Sequence, residues 1–123
     1  MQLSLDKLVE RIKKSPRFAE VGMIACHLGI VRGYSRNGKP IKKINIKINQ
    51  KMIERIIHEV KALSGIIEVL VEVREGTFSV GEPILAIAIA GSFREDVLLA
   101  LERIINSIKT KAVNKEEIGG EHD

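Results

Sequence analysis

GTFSVGEPILAIAIAGSFREDVLLALERIINSIKTKAVNK, residues 76–115, decides how this chain is read. Ile84–Ala90 is an unbroken apolar run bounded by Pro83 and Gly91, short enough for a buried strand. Alternation puts Leu85, Ile87 and Ile89 on one face and Ala86, Ala88 and Ala90 on the other. Small residues on that second face permit close approach by another element or another chain. From Glu95 the period becomes that of a helix, with Val97, Leu98, Leu101, Ile104, Ile105 and Ile108 on one side. Arg94 stands at the strand-to-helix junction, where free N–H groups and the helix dipole already favour an anion. Lys109, Lys111 and Lys115 gather at the far end. The arrangement permits an anion pocket.

Outward from that stretch, the chain alternates helix and strand patterns. Ser4 is placed to cap a helix from about Leu5 to Lys14, which buries Leu5, Leu8, Val9 and Ile12 and ends at Pro16. Val21–Val31 reads as a long strand with Gly22 and Gly29 as bulge or close-approach points. Arg32–Pro40 is a turn-rich loop in which Asn37-Gly38 is the strongest turn signal. Ile44, Ile46 and Ile48 alternate with Lys43, Asn45 and Lys47, a strand with one wet face that a hairpin would pair with its predecessor. Asn49 caps a helix over about Gln50–Leu63, stopped by Ser64-Gly65. Ile67, Val69, Val71 and Val73 form a half-buried strand whose polar face is spoiled by Leu70 alone, and Gly76 and Gly81 mark the turn that follows.

The expected order is therefore α-β-β-α-β-β-α, an α+β fold with a mostly antiparallel sheet packed with helices. Residues 1–117 make one domain, opened by a helix within 1–16, and 118–123 make a flexible acidic tail containing Gly119-Gly120.

At 123 residues the chain is long enough to bury a core without disulfides or metal. No apolar run approaches a membrane span, and the charged, amphipathic start does not fit a signal peptide, so a cytoplasmic protein is expected. The single cysteine, Cys26, excludes an internal disulfide and a multi-cysteine metal site. All 20 Lys and Arg lie at or before Lys115, whereas Glu116, Glu117, Glu121 and Asp123 follow it. A basic body suits an anionic ligand or an acidic partner. With one Tyr, three Phe and no Trp, it lacks the stacking aromatics that usually accompany nucleic-acid binding.

Cys26 and His27 are neighbours in a strand and point to opposite faces, so they do not share a metal; a buried Cys and a surface or satisfied His are expected. No zinc spacing, phosphate loop or nucleophile elbow is present, and neither a metal nor a cofactor is expected. The candidates that remain are the cations Arg32, Arg36, Lys39, Arg94, Lys109 and Lys115. In such a cluster a lysine can have its pKa lowered by its neighbours and act as a base or amine nucleophile.

Gly29-Ile30-Val31-Arg32, the basic Gly-containing loop, Gly76…Val80-Gly81-Glu82, Ala88-Ile89-Ala90-Gly91, Arg94 and Ile108-Lys109-Thr110…Lys115…Glu117 form an ordered set running from about Val21 to Glu117. The set resembles the catalytic (large) subunit of molybdopterin synthase. That resemblance implies an α/β hammerhead fold and a central homodimer within a heterotetramer. It also implies a small ubiquitin-like sulfur-carrier subunit whose thiocarboxylated tail enters each active site. There sulfur passes to cyclic pyranopterin monophosphate, a small pterin substrate, on the way to the molybdenum or tungsten cofactor.

By position, the resemblance makes Lys109 the catalytic lysine and Lys115 its assistant. Arg32 and Arg94 fall on anion-binding positions, with Arg36, Lys39 and Glu117 around them. The chain departs from the family at Phe93, where the family has His. It departs again at Val113-Asn114-Lys115, which is one residue shorter than the corresponding segment, and at Ile46 and Ile48, which replace an aromatic patch. A sulfurtransferase is therefore the first expectation. The second is a non-catalytic homologue that binds a sulfur-carrier tail or an anionic ligand.

Overall fold

A computed structural model describes residues 3–119. The elements in chain order are α1 (Leu5–Lys13), a short 3₁₀ turn (Phe18–Glu20), β1 (Met23–Ile30), β2 (Ile41–Ile48), α2 (Gln50–Lys61), β3 (Ile66–Val73), β4 (Gly76–Ser79), β5 (Pro83–Gly91), α3 (Arg94–Ser107), a π-helical turn (Ile108–Ala112) and β6 (Val113–Gly119). The fold is the expected mixture of antiparallel sheet and three helices, and both proposed caps form. The Ser4 hydroxyl accepts from the Lys7 N–H at 3.3 Å, and the Asn49 side chain accepts from the Met52 N–H at 3.1 Å.

The strands divide into two antiparallel three-stranded sheets, β1-β5-β3 and β4-β2-β6. β1 and β2 therefore do not pair, contrary to the hairpin reading. The loop between them does turn tightly at Asn37-Gly38, with Gly38 at φ 85°, and Tyr34 bridges Pro40. At the end of β1 the register with β5 shifts between Gly29 and Ile30, leaving Ile84 of β5 as the extra residue. Val31, 1% exposed, then enters the core of the second sheet with Ile41, Ile44, Ile46 and Phe78.

Two further strands lie where turns and an exit were expected. β4 pairs with β2 through Ile44↔Phe78, and only Phe78 of its residues is buried. β6 pairs with the other edge of β2 and continues to Gly119, past the expected domain limit at Glu117. The rest of the expected tail, from Gly120 to Asp123, lies outside the described residues.

β5 is the central strand of its sheet, and its two faces meet different partners. Leu85, Ile87 and Ile89 pack with Ile53, Ile56 and Val60 of α2 and with Val97, Ala100 and Ile104 of α3. The Ala86, Ala88 and Ala90 face is covered by Leu8 and Ile12 of α1, with Leu70 of β3 beside them. This explains the small residues and the apolar intruder on β3: the close approach is made by the chain's own first helix. Leu98, read as part of the buried stripe of α3, is instead 52% exposed.

Candidate active site

The two sheets meet around Ile48, Ile84 and Val113, which pack against the main core and against the core of the second sheet. Beside that seam opens a cavity of about 400 Å³. Its apolar floor includes Ile44 and Ile46 of β2 and Ile84 and Leu85 of β5, and its mouth carries Arg32, Arg36, Lys109 and Lys115, with Glu117. A shallower basin of about 700 Å³ shares Arg32, Arg36, Lys115 and Glu117 and adds Lys39. An apolar floor below a rim rich in cations suits a ligand that joins an anionic group to a body able to lie against apolar side chains.

Each cation is brought there by a local feature of the chain. Arg32 follows directly on the end of β1, after the core residue Val31; its Nε–H donates to the Tyr34 carbonyl at 2.8 Å while the guanidinium lies 5.5 Å from the Tyr34 ring centre. Arg36 and Lys39 follow on the same turn. In the β2–β6 ladder, Lys115 stands opposite Ile46 and Glu117 opposite Ile44. Residues two apart on a strand share a face, so the floor residues and these two charges belong to one surface.

Lys109 comes from the π-helical turn that continues α3. Buried Ile108 and Ala112 anchor this turn, the Ala112 carbonyl accepts from the Asn49 N–H at 2.8 Å, and the Thr110 hydroxyl donates to the Asn106 carbonyl at 2.8 Å. The two lysines of the turn point apart: Lys109 lines the cavity, whereas Lys111 lines a different surface depression with Lys47 and Asn114. Such π turns recur at functional sites because they break the regular helical spacing.

Partial burial lowers the pKa of Lys109, and the charges of Lys115, Arg36 and Arg32 lower it further. The residue is exposed overall, so the part due to neighbouring charge is open to screening by salt. None of the ion pairs found among the described residues involves Arg32, Arg36, Lys39, Lys109 or Lys115. Their charges are free to act on a ligand.

Arg94 is not part of this cluster. It begins α3, 80% exposed, with its Nε 3.4 Å from Glu95. The residue before it, Phe93, is 66% exposed and offers no side-chain cap. The expected Cys and His are also reversed. Cys26 lies on the α1 side of β1, but α1 reaches only as far as Ile24, and Cys26 is exposed. His27 points under α3, with a buried Nε2 that has no hydrogen-bond partner. Among the described residues, no group of three or more His, Cys, Asp or Glu side chains is placed to hold a metal. No helix among them is long and apolar enough to cross a membrane.

Sequence reasoning missed Tyr34 and the Ile44–Ile46 floor as parts of the site. Alternation had put Ile44 and Ile46 on a buried face, but nothing local showed that a cavity opens over it.

Comparison with known proteins gives a consistent picture. The model of the MoaE protein family matches residues 1–111, a span that includes Lys109 and stops before Lys115 and Glu117. An uncharacterized protein of Methanocaldococcus jannaschii is 30% identical over 109 residues, covering 85% of this chain and 87% of that one. Molybdopterin synthase from Staphylococcus aureus superposes with a TM-score of 0.79 at 20% identity, over 98% of this chain and 88% of its own. Molybdopterin cofactor biosynthesis protein E from Burkholderia multivorans gives 0.77 at 23% identity, over 98% and 84%. A complex of subunits 1 and 2 of molybdopterin-converting factor from Helicobacter pylori gives 0.69 at 20% identity, over 98% and 86%. At these identities the structural likenesses establish a common fold.

Proposed function

The chain belongs to the MoaE family, and on that premise we propose that it is the large subunit of a molybdopterin synthase. In this reading it passes sulfur from the thiocarboxylated tail of a small ubiquitin-like carrier to cyclic pyranopterin monophosphate, in molybdenum- or tungsten-cofactor biosynthesis. The carrying observation is the set of cations without ion-pair partners, Lys109 among them, around one apolar-floored cavity. The floor can meet the ring faces of the pterin, and the rim suits its phosphate and the carrier's thiocarboxylate.

Arg32 and Arg36, with Lys39 in the adjoining basin, bind the anionic groups. Lys109 serves as the amine or proton-transfer group at the thiocarboxylate, since a lowered pKa puts more of it in the neutral form. Lys115 assists from β6, and Glu117 orients its neighbours. Positioned cations also offset the negative charge that develops during sulfur transfer. A relative that is itself a complex of two subunits of a molybdopterin-converting factor supports a small partner for this chain. Arg94 enters the same site only if a second copy supplies it, which accords with a homodimer at the centre of the assembly.

The test is a single-turnover reaction with thiocarboxylated carrier and cyclic pyranopterin monophosphate, followed by fluorescence of the oxidised dithiolene product. Product that is lost in Lys109→Ala supports the synthase. Carrier binding without product supports the second reading, a homologue that binds the carrier tail or an anionic ligand. Phe93, in place of the family's His, favours that second reading.

A further inference from the structure

His27 lies on the face of β1 that also sends Met23 and Ala25 into the core beneath α2 and α3. The β1–β5 register sets it opposite Ile87, and sets Gly29 opposite Leu85. Apolar side chains are the ordinary occupants of such a face, because a buried ring nitrogen without a partner loses its hydration and gains nothing. The His27 Nε2 is in that condition.

The surroundings of Nε2 show what it faces. A Cβ built on Gly29 would stand 3.5 Å from Nε2 and 3.4 Å from the Leu85 Cβ. Gly29 and Leu85 both line the cavity that holds Lys109. Gly29, having no side chain, therefore leaves the space beside Nε2 unfilled at a position that lines the cavity. Lys109 is near enough to act on the ring: burial first, and then the Lys109 charge, lower the His27 pKa below the ordinary histidine value. A neutral imidazole keeps a lone pair on one nitrogen, and a lone pair beside an ammonium is an acceptor for it.

We propose that His27, with its ring proton on Nδ1, is a positioning residue for Lys109: its buried Nε2, reached past Gly29, accepts a hydrogen bond from the Lys109 ammonium and turns that amine toward the cavity. The inference rests on Lys109 being the reactive amine of the proposed site. Opposite His27, β5 presents Ile87 and Leu85, which carry no charge. The other charged groups round the cavity are Arg32 and Arg36 from the β1–β2 loop and Lys115 and Glu117 from β6. The neighbours that shift Lys109 are all cations, so a neutral acceptor holds the ammonium where like charges push it away. Acid disables the arrangement, because protonating His27 removes the acceptor and adds another positive charge.

The experiment is a ¹⁵N NMR titration of Lys109 and His27 in the intact protein, which requires neither carrier nor pterin. Losing a hydrogen bond to the charged form lowers a lysine's midpoint, so His27→Phe and Gly29→Ala are each expected to lower that of Lys109 by about one pH unit. His27→Gln, which keeps an acceptor, shifts it less. Gly29→Ala is the safer variant for the fold: its methyl meets Nε2 and Leu85 at van der Waals distance, and Gly29 is not among the positive-φ glycines. Should His27→Phe fail to fold, Gly29→Ala decides. An unmoved Lys109 midpoint in the folded variants overturns the proposal, and so does a proton found on Nε2 at neutral pH. Failure of sulfur transfer in the synthase assay would instead remove the proposed function while leaving the Lys109–His27 pairing measurable.

Discussion

Lys109 and Arg94 stand at opposite ends of one helical run, and only Lys109 reaches the cavity. α3 begins at Arg94 and spans 14 residues before the π turn that carries Lys109. At about 1.5 Å per residue the two Cα atoms are roughly 20 Å apart. A site built from one chain therefore uses one of these residues and not the other. This has a direct consequence for anion binding. Arg32→Ala is expected to weaken phosphate or pyrophosphate binding by about tenfold or more, the worth of a charge-assisted hydrogen bond. Arg94→Ala is expected to leave binding to isolated single chains unchanged. Calorimetric titration at low salt measures both, and equal losses would place Arg94 in the site after all.

Lys109→Ala is expected to lower single-turnover sulfur transfer by about a hundredfold or more, the usual contribution of a positioned acid–base group. Its melting temperature should stay at or above that of the parent, because the variant removes a partly buried cation from among other cations. Full turnover in a folded Lys109→Ala protein would take the amine out of the mechanism.

The depressed pKa of Lys109 sets the sign of a stability change with pH. Below the folded-state midpoint the amine is charged in both states, and the native state bears the full cost of burial and repulsion. As pH rises from that midpoint to the ordinary lysine value, the unfolded chain holds more protons and stability increases. Lys109→Met should therefore be more stable than the parent at neutral pH, with an advantage that shrinks in strong alkali. Denaturant midpoints at the two pH values give the comparison. Raising the salt concentration should also move the amine's midpoint upward, by screening Lys115, Arg36 and Arg32.

Leu8→Ala should cost about 2–5 kcal/mol, because it opens a gap over Ala86, Ala88 and Ala90 that small side chains cannot collapse to fill. Urea unfolding would register the loss. A change below about 0.5 kcal/mol would mean that α1 is not the cover of that face.

Asn49→Ala should cost about 1 kcal/mol through the lost cap of α2. Because the Asn49 N–H also holds the Ala112 carbonyl at 2.8 Å, the backbone tie between α2 and the π turn survives this substitution. Lys109 titration should be unchanged while thermal stability falls. A shifted Lys109 midpoint would show that the cap, as well as the tie, sets the position of the turn.

Much of the fold was legible because its signals are local. Ser4 and Asn49 sit directly before amphipathic periods, and the β5 run is too short and too apolar for anything but a buried strand. Arg32, Lys109, Lys115 and Glu117 were identified along the chain, and the fold does bring them together. β4 and β6 were not legible. β4 is four residues with one buried side chain, and β6 carries Asn114, Lys115, Glu116 and Glu117 in succession, with no alternation of apolar and polar residues to reveal a strand. Each exists because β2 offers it an edge, and an edge supplied by a distant segment leaves no mark on the sequence that occupies it.

The sequence by itself determined the periods: the three helices, the strands that carry their own apolar pattern, most of the side chains those strands and helices bury, and that cations cluster in a few short stretches. Tertiary structure alone decided which cations meet. β1 and β2 lie in different sheets, and the cavity opens beside the seam between them. The length of α3 removed Arg94 from the cluster. The parity of β1, combined with the point where α1 stops, exposed Cys26 and turned His27 inward. Distances of this kind follow from how rigid elements are stacked, and a linear pattern of side chains carries the faces of those elements but not their placement in space.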